Sequence, residues 1–76
     1  MRLPVLSGEE LVKLLRKVGY EVVRQKGSHL RLKNAHDSSR NPLTVPLHDE
    51  IRPGLLRKIL RDANLTMDEL QALIEK

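Results

Sequence analysis

Apolar positions recur at two periods along this chain, and the changes of period mark its elements. Leu11, Leu14, Leu15 and Val18 fall at i, i+3, i+4 and i+7, the stripe of an amphipathic helix. Ser7-Gly8-Glu9-Glu10 in front of it is a capping box, in which Ser7 accepts from the Glu10 amide and Glu10 reaches back to Ser7. Leu6 and Leu11 have the spacing of a hydrophobic staple. Gly19 offers a left-handed stop, so a helix is predicted over residues 8–18. From Tyr20 the period falls to two. Tyr20–Lys26 and His29–Lys33 read as strands, and Gly27-Ser28 between them suits a two-residue type II′ hairpin with glycine first. Residues 34–42, rich in Asn, Ser, Asp and Pro, read as a loop. Leu43–His48 reads as a third strand, placed at a sheet edge because Pro46 has no amide to donate. The helical period returns behind Pro53, with Leu55, Leu56, Ile59, Leu60 and Ala63 as the stripe. Leu65-Thr66-Met67-Asp68-Glu69-Leu70 repeats the staple and the box, and Leu70, Leu73 and Ile74 carry a short third helix.

This order predicts an α+β fold over residues 1–76 as one domain: a three-stranded antiparallel sheet with helices on one face. The turn sets the first register, with Lys26 opposite His29 and Val23 opposite Leu32. One face then carries Val23, Leu30 and Leu32. The other carries Arg24, Lys26, His29, Arg31 and Lys33, with Val22 as the exception. The third strand must turn Leu43, Val45 and Leu47 toward the same core. One register pairs Leu47 with Leu30 and Val45 with Leu32, and brings His48 opposite His29. A slip of two residues keeps the faces and leaves His48 diagonal to His29.

Composition narrows the partners. The 76 residues suffice for one domain with a thin core. The formal charge is +4. The excess lies before residue 62, since Asp62, Asp68, Glu69 and Glu75 face only Lys76 in the remainder. A basic domain of this size suits a polyanion, most often nucleic acid. There is no cysteine, hence no disulfide framework and no thiolate zinc site. No apolar run approaches the roughly 18 residues of a membrane span. Met1–Leu6 is too short an apolar stretch for a signal peptide, so a cytoplasmic location is expected.

The chemistry gathers at the hairpin. Arg24, Lys26, Arg31 and Lys33 can neutralise phosphates, and His29 can move protons near neutral pH. RNA cleavage needs both: the 2′-hydroxyl must lose a proton, the 5′-oxygen must gain one, and the phosphoryl oxygens must be held. Ser28 belongs to the turn, because neighbours on a strand point to opposite faces. His36 beside Asp37 reads as a loop residue. The spacing of His29, His36 and His48 matches no compact ligand motif, and neighbouring cations oppose a further cation, so neither metal nor cofactor is expected. No phosphate-binding glycine loop, dinucleotide fingerprint or serine elbow occurs. Tyr20 is the only aromatic ring, so base stacking is limited and sequence preference should be weak. Two other readings of the same basic face stay open: a non-catalytic RNA-binding module, and an adaptor for an acidic protein.

Three blocks, Arg24-Gln25-Lys26-Gly27-Ser28-His29, Thr44-Val45-Pro46-Leu47-His48 and Pro53-Gly54-Leu55-Leu56-Arg57-Lys58-Ile59-Leu60, resemble the HicA (YcfA-like) toxins of bacterial toxin–antitoxin systems. Ser7-Gly8-Glu9-Glu10-Leu11 and Gly19-Tyr20 fit as well, so the resemblance covers roughly residues 7–65. It implies a fold like a double-stranded-RNA-binding domain, with an α-β-β-β-α core. It also implies an mRNA endoribonuclease that blocks translation and is silenced by a HicB antitoxin. The family's catalytic histidine falls on His29, with Gly27 and Ser28 as motif neighbours, and His48 matches a recurrent family histidine that would be auxiliary. The acidic segment after Leu65 lies outside the resemblance.

Overall fold

The computed structural model describes residues 4–75; Met1–Leu3 and Lys76, which entered the targeting and charge arguments, lie outside the described residues. The first capping box forms as the sequence predicts. The Glu10 amide donates to Ser7 Oγ at 3.1 Å, and the Ser7 amide donates to Glu10 Oε1 at 2.9 Å. The hydrogen bond from the Ser7 backbone holds the Glu10 carboxyl below its ordinary range. Helix α1 (Gly8–Arg16) follows, with Leu11, Val12, Leu14 and Leu15 buried. It ends two residues before the predicted limit because the amides of Lys17, Val18 and Gly19 turn to carbonyls three residues back, each at 3.1 Å. Gly19 then leaves the helix at φ +102°, which a side chain would disfavour.

Strands β1 (Tyr20–Lys26), β2 (His29–Asn34) and β3 (Leu43–Pro46) form one antiparallel sheet in the order β1-β2-β3. Helix α2 (Pro53–Asp62) opens on Pro53 and closes in a Schellman turn. In that turn Asn64 has φ 55°, its amide meets the Arg61 carbonyl at 3.1 Å, and the Leu65 amide meets the Leu60 carbonyl at 2.9 Å. Helix α3 (Met67–Glu75) is capped by the second box, Thr66 with Glu69, at 2.9 and 3.0 Å. The order α-β-β-β-α-α is that of an α+β fold of the double-stranded-RNA-binding-domain kind. The three helices and the inner sheet face enclose a core that includes Leu11, Leu15, Leu32, Val45, Leu56 and Leu70. Burying one such side chain contributes about 1.5–3 kcal/mol relative to exposure.

Two details of register differ from the sequence reading. Val23 does not face Leu32: Val22 pairs with Leu32 and Arg24 with Arg31, leaving Val23 as the extra residue of a bulge. Val22 packs on the core and Val23 is 51% exposed. The reason is parity. Tyr20 is buried and Lys26 is outside, opposite His29, yet six residues along a regular strand would point them the same way. One extra residue reconciles the two ends.

The third strand takes the register slipped by two, with Leu43 on Leu32, Val45 on Leu30 and Pro46 on His29. Leu47 therefore leaves the strand and is 36% exposed, and Ile51, buried, joins the core in its stead. Backbone bonds from Leu47 to Ser28 (2.7 Å), Gly8 to His48 (2.9 Å) and Ile51 to Leu6 (2.7 Å) fix the segment after β3 against the hairpin and the start of α1. Gly8 makes this possible, since a Cβ there would fall on the Pro46 carbonyl oxygen.

Candidate active site on the polar face of the sheet

His29 opens β2 at the outer end of the sheet, between Lys26 on β1 and Pro46 on β3, and is exposed. Gly27 turns the chain just before it at φ +59°; nothing lies within 4 Å of a Cβ added there, so the dihedral alone calls for glycine. Ser28 serves the turn and lends its carbonyl to Leu47. Because that segment is held from three sides, His48 returns to His29: the ring centroids are 6.5 Å apart, with the planes at 70°. Both rings are exposed. The placement of His48 directly opposite His29 is not formed; the alternative, slipped by two residues, is, with His48 just beyond the end of β3.

Four cations predicted for this face reach it along β1 and β2. Arg24 and Arg31 are direct cross-strand partners, an arrangement that costs stability when no anion lies between them. Arg31 Nη1 donates to Thr44 Oγ1 at 3.1 Å, which holds the guanidinium over the sheet. Lys33 stands farther along, opposite Glu21 in the register. Arg24, Lys26, His29, Arg31 and Thr44 together line a cleft of about 260 Å³.

A second cleft of about 260 Å³ meets the first at His29 and Arg31 and runs between β3 and α2. Its walls include Pro42, Pro46 and Leu55, and Lys58 and Asp62 supply its other charges. Sequence reasoning missed these two residues, along with Gly8. The apolar stripe of α2 fixed its buried side, but no linear signal shows which flank lies beside the hairpin.

His36 does not join the site. It lies past the far end of β2, where its amide donates to Asn34 Oδ1 at 2.9 Å. Among the described residues, no three or more His, Cys, Asp or Glu gather where they could hold a metal ion. No helix among them is long and apolar enough to cross a membrane.

The model of one protein family, described as HicA toxin of bacterial toxin-antitoxin, matches residues 8–65. The chain belongs to the HicA toxin family. It is thus a toxin of a toxin–antitoxin system, and the family implies an antitoxin partner. No curated protein and no solved structure matches it. The matched span of this HicA toxin runs from the first residue of α1 to the turn after α2, so it contains the hairpin, both histidines and both clefts. Helix α3 lies outside that span.

Proposed function

We propose that residues 1–76 work as one endoribonuclease domain that cleaves mRNA in the cytoplasm without a metal ion, and that a HicB-type antitoxin silences it. The observation that carries this reading is the pair of exposed imidazoles 6.5 Å apart at the mouth of a cationic cleft. A phosphodiester held by Arg24, Lys26 and Arg31 presents its two reacting oxygens to that pair, and Lys33 extends the track for the backbone.

His29 carries the proton transfer and His48 completes it. One ring, neutral, takes the proton from the ribose 2′-hydroxyl as that oxygen attacks phosphorus. The other, protonated, gives a proton to the departing 5′-oxygen as the P–O bond breaks. The products are a 2′,3′-cyclic phosphate and a free 5′-hydroxyl. The neighbouring guanidinium groups stabilise the charge that builds on the non-bridging oxygens. An antitoxin can block this chemistry by covering His29 or by presenting carboxylates to the basic face.

The test is incubation of purified protein with labelled RNA, alone and as His29→Ala, with products resolved by size and end group. Cleavage by the parent and none by the variant is the expected result. A gel shift without products from the parent would identify a non-catalytic RNA-binding module instead. Binding in either case should weaken steeply with salt.

A further inference from the structure

The two clefts that share His29 and Arg31 differ in chemistry. The one on β1 and β2 is bordered by Arg24 and Lys26 and has no carboxylate. The one between β3 and α2 has apolar walls from Pro42, Pro46 and Leu55, and both the ammonium of Lys58 and the carboxylate of Asp62 in its lining. At about 260 Å³ it is smaller than the ~300–1,000 Å³ of sites for drug-sized molecules, a scale that suits one ring system.

Asp62 has cationic neighbours, Lys58 in the same cleft and Arg40 across Tyr20, but is bonded to neither. It is the last residue of α2, where the helix dipole disfavours a negative charge by about 0.3–1 kcal/mol. Among the described residues its carboxylate forms no ion pair and no side-chain hydrogen bond; only its backbone carbonyl is used, accepting from the Asn41 amide at 2.7 Å. It is half-buried, so part of its hydration is already lost.

An RNA chain whose scissile phosphate sits at His29 must send a nucleoside to each side. Lys58 and Arg31 also line this cleft and can meet a phosphate at its rim, but the Asp62 carboxylate repels one placed directly against it. A base can settle there, since single-stranded RNA is read at splayed-out bases hydrogen-bonded on their edges. A carboxylate only accepts hydrogen bonds. Adenine, cytosine and guanine each offer an exocyclic amine, whereas uracil has carbonyl oxygens at its two exocyclic positions and only the N3–H between them to donate, so a carboxylate that reaches an exocyclic position meets an acceptor on uracil.

We propose that the cleft between β3 and α2 seats one base of the RNA next to the cleaved bond, and that Asp62 selects an amine-bearing base over uracil there. The proposal rests on the cleavage reading and adds one selective position to an otherwise backbone-directed interface. Asp62 acts as a specificity determinant and takes no part in proton transfer.

The test uses the full chain and a panel of short single-stranded RNAs with one scissile step, varied at the bases on either side of it. The parent is expected to favour amine-bearing bases over uracil at one flanking position by about tenfold in kcat/KM, within the range of a specific base contact. Asp62→Asn, whose amide both donates and accepts, should abolish that ratio by lowering kcat/KM on amine-bearing bases and raising it on uracil. Its melting temperature should not fall, because the change removes an unfavourable charge from the helix end. The same panel is titrated against His29→Ala and against the double variant, so that the ratio is also read from affinity. Failure of the parent to cleave any RNA overturns the catalytic reading, while the affinity ratio still decides the base seat. An Asp62→Asn protein that retains the parental ratio, or loses activity equally on every base, overturns the proposal.

Discussion

The two ends of β2 carry similar residue types and use them in opposite ways. At the far end, polar groups satisfy one another. Asn34 Nδ2 donates to the Val18 carbonyl at 2.8 Å, and its Oδ1 accepts from the amides of His36 and Asp37 at 2.9 and 3.1 Å. Asp37 accepts from the Ser39 hydroxyl at 2.6 Å and meets Arg40 Nε at 3.3 Å. Arg40 Nη1 donates to the Ala63 carbonyl at 2.7 Å, and the buried Tyr20 donates its hydroxyl to the Asn41 carbonyl at 2.8 Å. At the near end, His29, His48, Arg24 and Lys26 are exposed and, among the described residues, make no side-chain hydrogen bond. One end spends its polar groups on holding the loop to α2; the other leaves them for something outside the protein. A histidine is informative here through what its neighbours do, more than through being a histidine.

The sharpest way to break this contrast is to remove one histidine from each end. His29→Ala should lower RNA cleavage by about 10²–10⁴-fold, the usual worth of a general acid or base. His36→Ala should leave the rate essentially unchanged. Both should stay within about 0.5 kcal/mol of the parent in stability, as exposed substitutions do. Equal rates for the two variants would show that the near end is not the site.

Gly8→Ala tests whether the near end depends on its backbone supports. The added methyl falls on the Pro46 carbonyl oxygen, so either the start of α1 or the segment leading to His48 must move. A loss of about 1–3 kcal/mol is expected from overpacking, together with slower cleavage at temperatures where the variant is still folded. Parental activity in a destabilised variant would mean that the position of His48 does not matter.

Asn34→Ala sharpens the contrast from the other side. It removes three hydrogen bonds at the far end, so thermal unfolding should show a loss of about 1–3 kcal/mol, with cleavage by the folded fraction unaltered.

The smallest effect concerns pH. Hydrogen bonds from the Ser39 hydroxyl and amide hold the Asp37 carboxyl below its ordinary range. A carboxyl depressed in the folded state adds stability above its unfolded value, and that stability is lost as pH falls through the folded one. Asp37→Asn should therefore be less stable than the parent at neutral pH. The gap in denaturant midpoints should narrow once the pH drops below about 4.

Much of this was legible in the sequence. Both capping boxes, the Gly27-Ser28 turn, the edge position of β3 and the cationic face follow from local chemistry that the chain states outright. What escaped depends on where one element meets another. Val22 and Val23 are alike in type, so alternation cannot say which is the surplus residue; the burial of Tyr20 decides it. A slip of two residues in β3 leaves the hydrophobic pattern intact, and only the contact of Gly8 with Pro46 and the bonds around Leu47 select the observed pairing. Lys58 and Asp62 entered the picture once α2 was seated beside the sheet edge.

The hydrogen bonds that anchor the segment after β3 reach back to Leu6 and Gly8 near the start of the chain. The two imidazoles therefore come together only when the start of the chain has closed on the segment that follows β3. On the proposed cleavage reading, a nascent chain that carries both rings without their juxtaposition would spare the message that encodes it until its own tertiary structure is finished.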